Sequence, residues 1–321
     1  IGYGRSLLTD PDIAKKVATG ECIRECLNCN KGCVDAIQSR RYISCVLNAE
    51  NGDEDTIYIR PANEKKKIAV VGAGLAGLEA ARIAAKRGHA VTLFEKTDRF
   101  GGQINLASVP PRKEEISRSV KYYEKLLPEL ITIEMNHEPT FDELNTFDHV
   151  ILAIGAHNMD LPMPVENSNV ISSWDVLNGK EVSGRCVVLG GGLVGAETSE
   201  YLAKNGYDVT IVEMMDTIAA QESSTVLPLM EADFEKYHVK KYVNTKVSEI
   251  KDNVIYAVNT KDESKVEIVA DTIINALGSK KNVFDDTKLT VPFTYAGDCS
   301  GERTADIANA IRTGYTAANN I

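Results

Sequence analysis

Four cysteines in one short stretch carry the densest chemistry in the chain. Cys26, Cys29, Cys33 and Cys45 are spaced C-x2-C-x3-C-x11-C within CLNCNKGCVDAIQSRRYISC. Three thiolates on one loop and a fourth from further along can surround a compact inorganic centre, and this 3+1 spacing suits a [4Fe–4S] cube. A four-thiolate zinc site is the alternative, although two C-x2-C pairs would favour zinc more. Cys22 lies just upstream, so Cys22, Cys26, Cys29 and Cys33 form a second candidate set. Cys186 and Cys299 have no neighbouring cysteine and are expected to be small apolar residues or free thiols. Seven cysteines, an odd number crowded toward one end, fit a metal site better than a disulfide scaffold.

Two glycine loops supply the second kind of chemistry. Gly72 to Gly77 (GAGLAG) and Gly190 to Gly195 (GGGLVG) both follow G-x-G-x-x-G. The first glycine permits a tight turn, the second lets backbone approach a pyrophosphate, and the third lets the next helix sit close to the strand. Free N–H groups at the start of that helix then hold phosphate charge without Lys or Arg. Glu95 and Glu213 each follow the first glycine of their loop by 23 residues, where a carboxylate accepts from a ribose 2′-OH and repels a 2′-phosphate. NADH is therefore the expected coenzyme.

Two sites imply two dinucleotides, and the chemistry suggests FAD as a fixed flavin and NAD(H) as a diffusible hydride donor. The loops alone do not give their order. Gly297-Asp298, on a strand end expected to return beside the first fold, would offer a carboxylate to a ribityl hydroxyl, which assigns FAD to the first loop. Arg99-Phe100-Gly101-Gly102-Gln103 is a second candidate flavin contact, with glycine for close approach and Gln103 as donor and acceptor. The expected FAD lining is Gly72, Ala73, Gly74, Ala76, Gly77, Glu95, Lys96, Gly102, Gln103, Gly297 and Asp298. The expected NAD(H) lining is Gly190, Gly191, Gly192, Leu193, Val194, Gly195, Glu197, Glu213 and Gly278. Glu197 is expected to help position the nicotinamide, with a solvent-facing first-turn acid as the alternative. No catalytic acid or base is expected in this chain, because hydride transfer needs none. NADH releases two electrons together, a cube accepts one, and a flavin handles both, so the implied order is NADH to FAD to cluster.

The elements that must hold these residues repeat. Lys67 to Lys96 and Arg185 to Met214 share one plan of apolar strand, glycine turn, Ala-rich helix, glycine turn and second strand ending in an acid, 118 residues apart. HVILAIGAH (149–157) and TIINALGSK (272–280) are a shorter echo, placed where the chain could leave one sheet for another domain. The expected class is α/β, with two doubly wound Rossmann-like dinucleotide-binding domains in series after a cysteine-rich iron–sulfur segment. Residues 1–20 read as a strand end, a Gly-Arg turn and a helix starting near Asp10-Pro11-Asp12. Residues 21–60 form the cysteine segment, 61–158 with 281–321 the first nucleotide domain, and 159–280 the second.

A 321-residue chain with 43% hydrophobic and 26% charged residues is globular in composition, which excludes disorder and collagen-like repeats. A net charge of −10 excludes a general nucleic-acid binder. No apolar run is long enough to span a bilayer, and the first residues lack the basic-then-apolar pattern of a signal peptide, so a cytoplasmic home is expected. The chain starts without Met, in what reads as mid-strand, as a fragment or processed product would.

Taken in order, GR-x-L-x-DPD (Gly4 to Asp12), C-x2-CN-x2-C, a fourth Cys at 45, VVGAGLAGLEAA, GGQINLA, VVLGGGLVGAE and AGD resemble the C-terminal half of the NADH:flavin oxidoreductases. These join an old-yellow-enzyme barrel to a reductase module, as in the 2,4-dienoyl-CoA reductase, 2-enoate reductase and trimethylamine dehydrogenase group. The resemblance implies that residues 1–20 are the last turn of a truncated TIM barrel, with Gly4 and Arg5 the remnant of an FMN-phosphate site. It implies electron flow from NADH through FAD and a [4Fe–4S] cluster to FMN, which reduces an activated C=C bond of a small-molecule substrate. The N-terminal FMN barrel is then this chain's partner, and the substrate site lies in it. In one branch of the group the first loop holds only an ADP moiety; the Gly102-Gln103 and Gly297-Asp298 matches point to FAD. A stand-alone NADH:acceptor reductase and a non-catalytic zinc- and nucleotide-binding sensor are the rival readings. The sequence does not set the oligomeric state.

Overall fold

The computed structural model describes residues 3–301 and 306–321; the strand end expected at Ile1 and Gly2 lies outside the described residues. The chain divides into two compact units, one of residues 1–105, 115–157 and 280–321 and one of residues 106–114 and 158–279.

In the first unit the apolar run KIAVV forms the central strand Lys67–Val71, exposed at its first residue and buried at the next four. A strand this uniformly apolar needs cover on both faces. It pairs in parallel with Ala90–Glu95 and His149–Leu152, and the sheet is completed by Thr132–Met135 at one edge and Phe293–Tyr295 at the other. Strand order thus reverses at Lys67–Val71, which opens a crevice at its carboxyl end. The C-terminal segment lies in this unit, with Phe293–Tyr295 paired to His149–Leu152 and helix Ile307–Asn319 packed on helix Leu75–Lys86.

Helix Leu75–Lys86 is buried at ten of its twelve positions, and small residues allow that. Helix Ile307–Asn319 lies directly on it: a Cβ on Gly314 would come within 2.2 Å of the Ala76 carbonyl oxygen. The buried face carries one ion pair. Arg82 Nε and Nη2 donate to the two Glu79 oxygens at 2.7 and 2.6 Å, and Tyr123 Oη donates to Glu79 Oε2 at 2.8 Å. Burial alone would raise the Glu79 carboxyl, but Arg82 and Tyr123 together hold it below the ordinary carboxylate value. Tyr123→Phe removes a bond to a buried charge, so the first unit should lose about 2 kcal/mol in denaturant melts.

Residues 21–60 pack as part of this unit and not as a separate body: Leu27, Leu47 and Ala49 share one buried cluster with Ile68, Leu78 and Leu93. The border expected near Pro61 is therefore a change of composition without a break in the core. At the N-terminus there are two helices, Arg5–Thr9 and Ile13–Thr19, where a Gly-Arg turn and a single helix were expected. Arg5 opens the first helix, and Pro11 precedes the second without entering it.

The second unit repeats the sheet. Arg185–Leu189 is central, flanked in parallel by Asp208–Val212 and Thr272–Asn275, with Lys240–Tyr242 and Val170–Ser172 outside them. An antiparallel meander of Thr245–Lys251, Val254–Asn259 and Lys265–Val269, with Val165–Glu166 at its edge, was not anticipated. Its first turn places Asp252 and Asn253 at φ of 50° and 60°, the conformation of a tight two-residue hairpin. Residues 106–114, which the sequence reading assigned to the first domain, belong with this unit because their cations pair with its acids, as described below.

Candidate functional site

The two glycine turns are nearly superimposable in their contacts. Gly72 and Gly190 sit at φ of 103° and 100°, a backbone conformation that favours glycine. A Cβ on them would meet Ala153 O at 2.5 Å and Ala276 O at 2.6 Å, so the residues that directly follow strands His149–Leu152 and Thr272–Asn275 are what close the turns. A Cβ on Gly77 or Gly195 would lie 1.9 Å from the carbonyl oxygen of Gly72 or Gly190, which fixes how closely each helix meets its turn. Gly74 and Gly192 differ in kind: each caps the N-terminus of its helix and has nothing within 4 Å of a built Cβ. This is the open cradle a pyrophosphate needs at a helix N-terminus.

Each acid at the second strand end braces its own loop. Glu95 Oε2 accepts from Ala73 N at 2.7 Å and its Oε1 from Thr97 N at 2.9 Å. Glu213 repeats both bonds, to Gly191 N at 2.5 Å and Met215 N at 2.7 Å. Sequence reasoning gave these carboxylates a ribose alone; they also hold the turn in shape, and a carboxylate has lone pairs for both. Lys96, next to Glu95, is exposed.

The candidate flavin contacts come together. Gly101 N donates to Ala73 O at 2.8 Å, and Gly102 lies against Gly74, with a built Cβ 3.4 Å from the Gly74 Cα. Gln103 Nε2 donates to Asp298 Oδ2 at 2.9 Å, joining two residues 195 positions apart. Gly297 packs on the same helix, where a Cβ would meet Ala76 Cβ at 2.8 Å. These contacts, with the cradle at Gly74, are compatible with a dinucleotide carrying a polyhydroxy chain.

Cys26, Cys29, Cys33 and Cys45 line one cavity with Arg5, Thr9 and Asn30. Asn28 and Asn30 adopt φ of 54° and 62°, which curls the loop so that backbone amides turn inward. Asn28 N lies 3.4 Å from Cys26 Sγ, and the Lys31 amide bonds Cys29. Gly32 lets this loop touch the segment bearing Cys45: its Cβ would be 2.6 Å from Ser44 O, and its own carbonyl accepts from Ser44 N at 2.7 Å. Burial pushes the Cys29 thiol up to about 11, and the three other thiols add to that. Among the described residues no three His, Cys, Asp or Glu side chains converge on the geometry of one metal ion. A cube is wider than a single ion, and amide donors aimed at sulfur are what its thiolates accept, so the donor set fits it. Cys22 lies outside this cavity lining, with its Sγ 3.8 Å from Tyr122 O, and Cys186 and Cys299 are buried. Arg5 Nη1 donates to Asn30 Oδ1, so the residue expected to be an FMN-phosphate remnant is held on the cysteine loop.

In the second unit Val194 is exposed, Leu193 half-buried, and Gly278, at φ of 134°, accepts from Met159 N at 3.0 Å. Glu197 is not solvent-facing: Lys113 Nζ pairs with its Oε1 at 2.8 Å and with Glu222 Oε2 at 2.6 Å. Next to it Arg112 pairs with Glu200 and, at 2.8 Å, with Asp233. The sequence reading missed Arg112, Lys113, Glu200, Glu222 and Asp233. A Pro-Pro-Arg-Lys run in a loop signals exposure and says nothing of a distant partner.

Burial pushes Glu200 up to about 7, helped by the facing Asp233 carboxylate, while Asp233 is held down to about 2. Glu200 is thus protonated in the folded chain over a range where the unfolded chain ionises it. Stability of the second unit should fall as pH rises from about 4.5 through 7. Glu200→Gln should flatten that slope in melts recorded across the range.

Residues 66–298 match the pyridine nucleotide-disulphide oxidoreductase family, with an overlapping match over residues 47–108. The chain is 48% identical to the bilirubin reductase of Mediterraneibacter gnavus, an alignment covering 99% of this chain and 51% of that protein. It is 34% identical to the cinnamate reductase of Clostridium sporogenes, over 100% of this chain and 49% of that one. A solved complex of 2-naphthoyl-CoA reductase with 2-naphthoyl-CoA is similar at 29% identity and a TM-score of 0.89, covering 99% of this chain and 50% of that one. The chain therefore spans about half the length of the curated relatives it matches. Because the family match runs unbroken through both glycine turns and the acids that brace them to Asp298, the chain belongs to the pyridine nucleotide-disulphide oxidoreductases.

Proposed function

We propose that this chain is the NADH-oxidising half of an iron–sulfur flavoprotein whose remaining part is an FMN barrel reducing an activated C=C bond of enoate or acyl-CoA type. The observation that carries the reading is the single cavity lined by Cys26, Cys29, Cys33 and Cys45 in the unit that also bears the first glycine turn. Relatives named as reductases of bilirubin and cinnamate support the substrate class. Bound together, NADH would supply hydride, FAD the exchange between paired and single electrons, and the [4Fe–4S] cluster single electrons for FMN.

The chain's own residues bind and orient. Gly74 with the amides opening helix Leu75–Lys86 holds one pyrophosphate, and Gly192 with helix Leu193–Lys204 holds the other. Glu95 and Glu213 fix the turns and offer their remaining lone pairs to a ribose. Gln103 and Asp298 present a donor and an acceptor to the flavin side chain. Lys113 pairs with both Glu197 and Glu222 and so offsets part of the negative charge behind the N-terminus of the second helix. Gly4 and Arg5 would contact FMN phosphate in the longer protein. The cytoplasm, where thiols stay reduced, is the proposed compartment.

Iron, sulfide and flavin analysis of the isolated chain after anaerobic reconstitution tests this. A yellow-brown protein with iron, sulfide and flavin supports it; a colourless zinc protein would replace it with the sensor reading. Glu213 predicts preference for NADH, and equal turnover of NADH and NADPH would contradict that assignment.

A further inference from the structure

The cysteine cavity contains a buried hydroxyl that faces a sulfur and has no part in the reading above. Thr9 is 1% exposed, and its Oγ1 lies 3.3 Å from Cys45 Sγ. Its place is fixed from both sides of the cavity. Arg24 Nε, on the segment leading into Cys26, donates to the Thr9 carbonyl at 2.9 Å. Asn48 Nδ2 donates to the Leu8 carbonyl at 2.9 Å, from the turn that Asn48 N closes onto Cys45 O at 3.2 Å. The segments carrying the first and last cysteines therefore hold the residue that faces Cys45.

A threonine hydroxyl has one proton to give. Two acceptors lie within its reach, the Arg5 carbonyl one turn back at 3.3 Å and Cys45 Sγ at the same distance. A metal-bound thiolate has no proton of its own, so towards it the hydroxyl can be donor alone. Added electron density on a cluster spreads onto its sulfurs, and a donor fixed in a buried site strengthens most when that density is highest.

We propose that Thr9 sets the reduction potential of the cluster by donating its hydroxyl proton to Cys45 Sγ, which favours the reduced state. This rests on the iron–sulfur reading of the cavity. Thr9 acts through Cys45 as a positioning residue.

The test compares wild-type protein with Thr9→Val, which keeps the shape without the donor, and Thr9→Ser, which keeps the hydroxyl; Thr9→Ala stands in should valine disturb assembly. EPR-monitored redox titration should give a more negative cluster midpoint for Thr9→Val and a near-native one for Thr9→Ser. Electron–nuclear double resonance in D2O should show an exchangeable deuteron coupled to the cluster in the wild type and Thr9→Ser that is missing in Thr9→Val. Equal midpoints in all three proteins, with the coupling retained in Thr9→Val, would overturn the role of Thr9. A wild-type protein without iron would instead overturn the reading beneath it.

Discussion

Gly192→Val is expected to leave a folded, flavin-containing protein that NADH reduces at least about 100-fold more slowly at a fixed concentration, a loss of about 3 kcal/mol of coenzyme binding. The backbone accepts the change: Gly192 has φ −62° and ψ −176°, ordinary for any residue, and nothing lies within 4 Å of its Cβ. The open space is where a pyrophosphate would meet the helix N-terminus, so the valine methyl groups displace ligand and not protein. Gly74→Val is the mirror experiment, since Gly74 is equally open at φ −73°. It should give a folded chain that no longer retains flavin. Anaerobic stopped-flow bleaching of the flavin, with dithionite as a control for reducibility, separates the two outcomes. Native reduction rates in Gly192→Val would remove the second turn from the coenzyme site. Gly195→Val would not make the same test, because its Cβ would stand 1.9 Å from the Gly190 carbonyl and the turn itself would fail.

Gly314→Val should cost the first unit at least about 3 kcal/mol and leave little soluble protein. The conflict is with backbone: the Cβ would lie 2.2 Å from Ala76 O and 3.1 Å from Ala76 Cα. Two helices cannot separate there without moving Ala76, one position from Gly77 in the glycine turn. On either side of Gly314 the helix is anchored by Ile311, Tyr315 and Ala318, all buried, so it cannot rotate to relieve the clash without exposing them. Thermal melts and flavin content of any soluble fraction report the damage, and an unchanged melting temperature would show that the helix contact is dispensable.

Much of the nucleotide-binding plan was legible because its reasons are local. A turn at positive φ, an open helix cap and an acid at the next strand end each need a particular residue at a particular spacing, and the chain states the set twice. That Cys26, Cys29, Cys33 and Cys45 line one cavity follows from spacing of the same local kind, although the loop that gathers them depends on Asn28, Asn30 and Gly32. What escaped was long-range. Arg112 meets Glu200 and Asp233, and Lys113 meets Glu197 and Glu222, across separations no periodicity encodes. Gly314 is a helix–helix contact that no local pattern marks. The meander could have been found, since VIYAVN and KVEIV are strand-forming runs and Asp252-Asn253 is a hairpin turn pair. Beside the second glycine motif, whose spacing is far more specific, these short runs carry a weak signal.

An anaerobic NADH titration of the reconstituted chain, followed by visible absorption and low-temperature EPR, tests the central claim most directly. Because a flavin takes two electrons and a cube one, full reduction should consume about one and a half NADH per chain and end with the EPR signal of a reduced cluster. An end point at one equivalent without that signal, or a flavin that NADH leaves oxidised, would contradict the account.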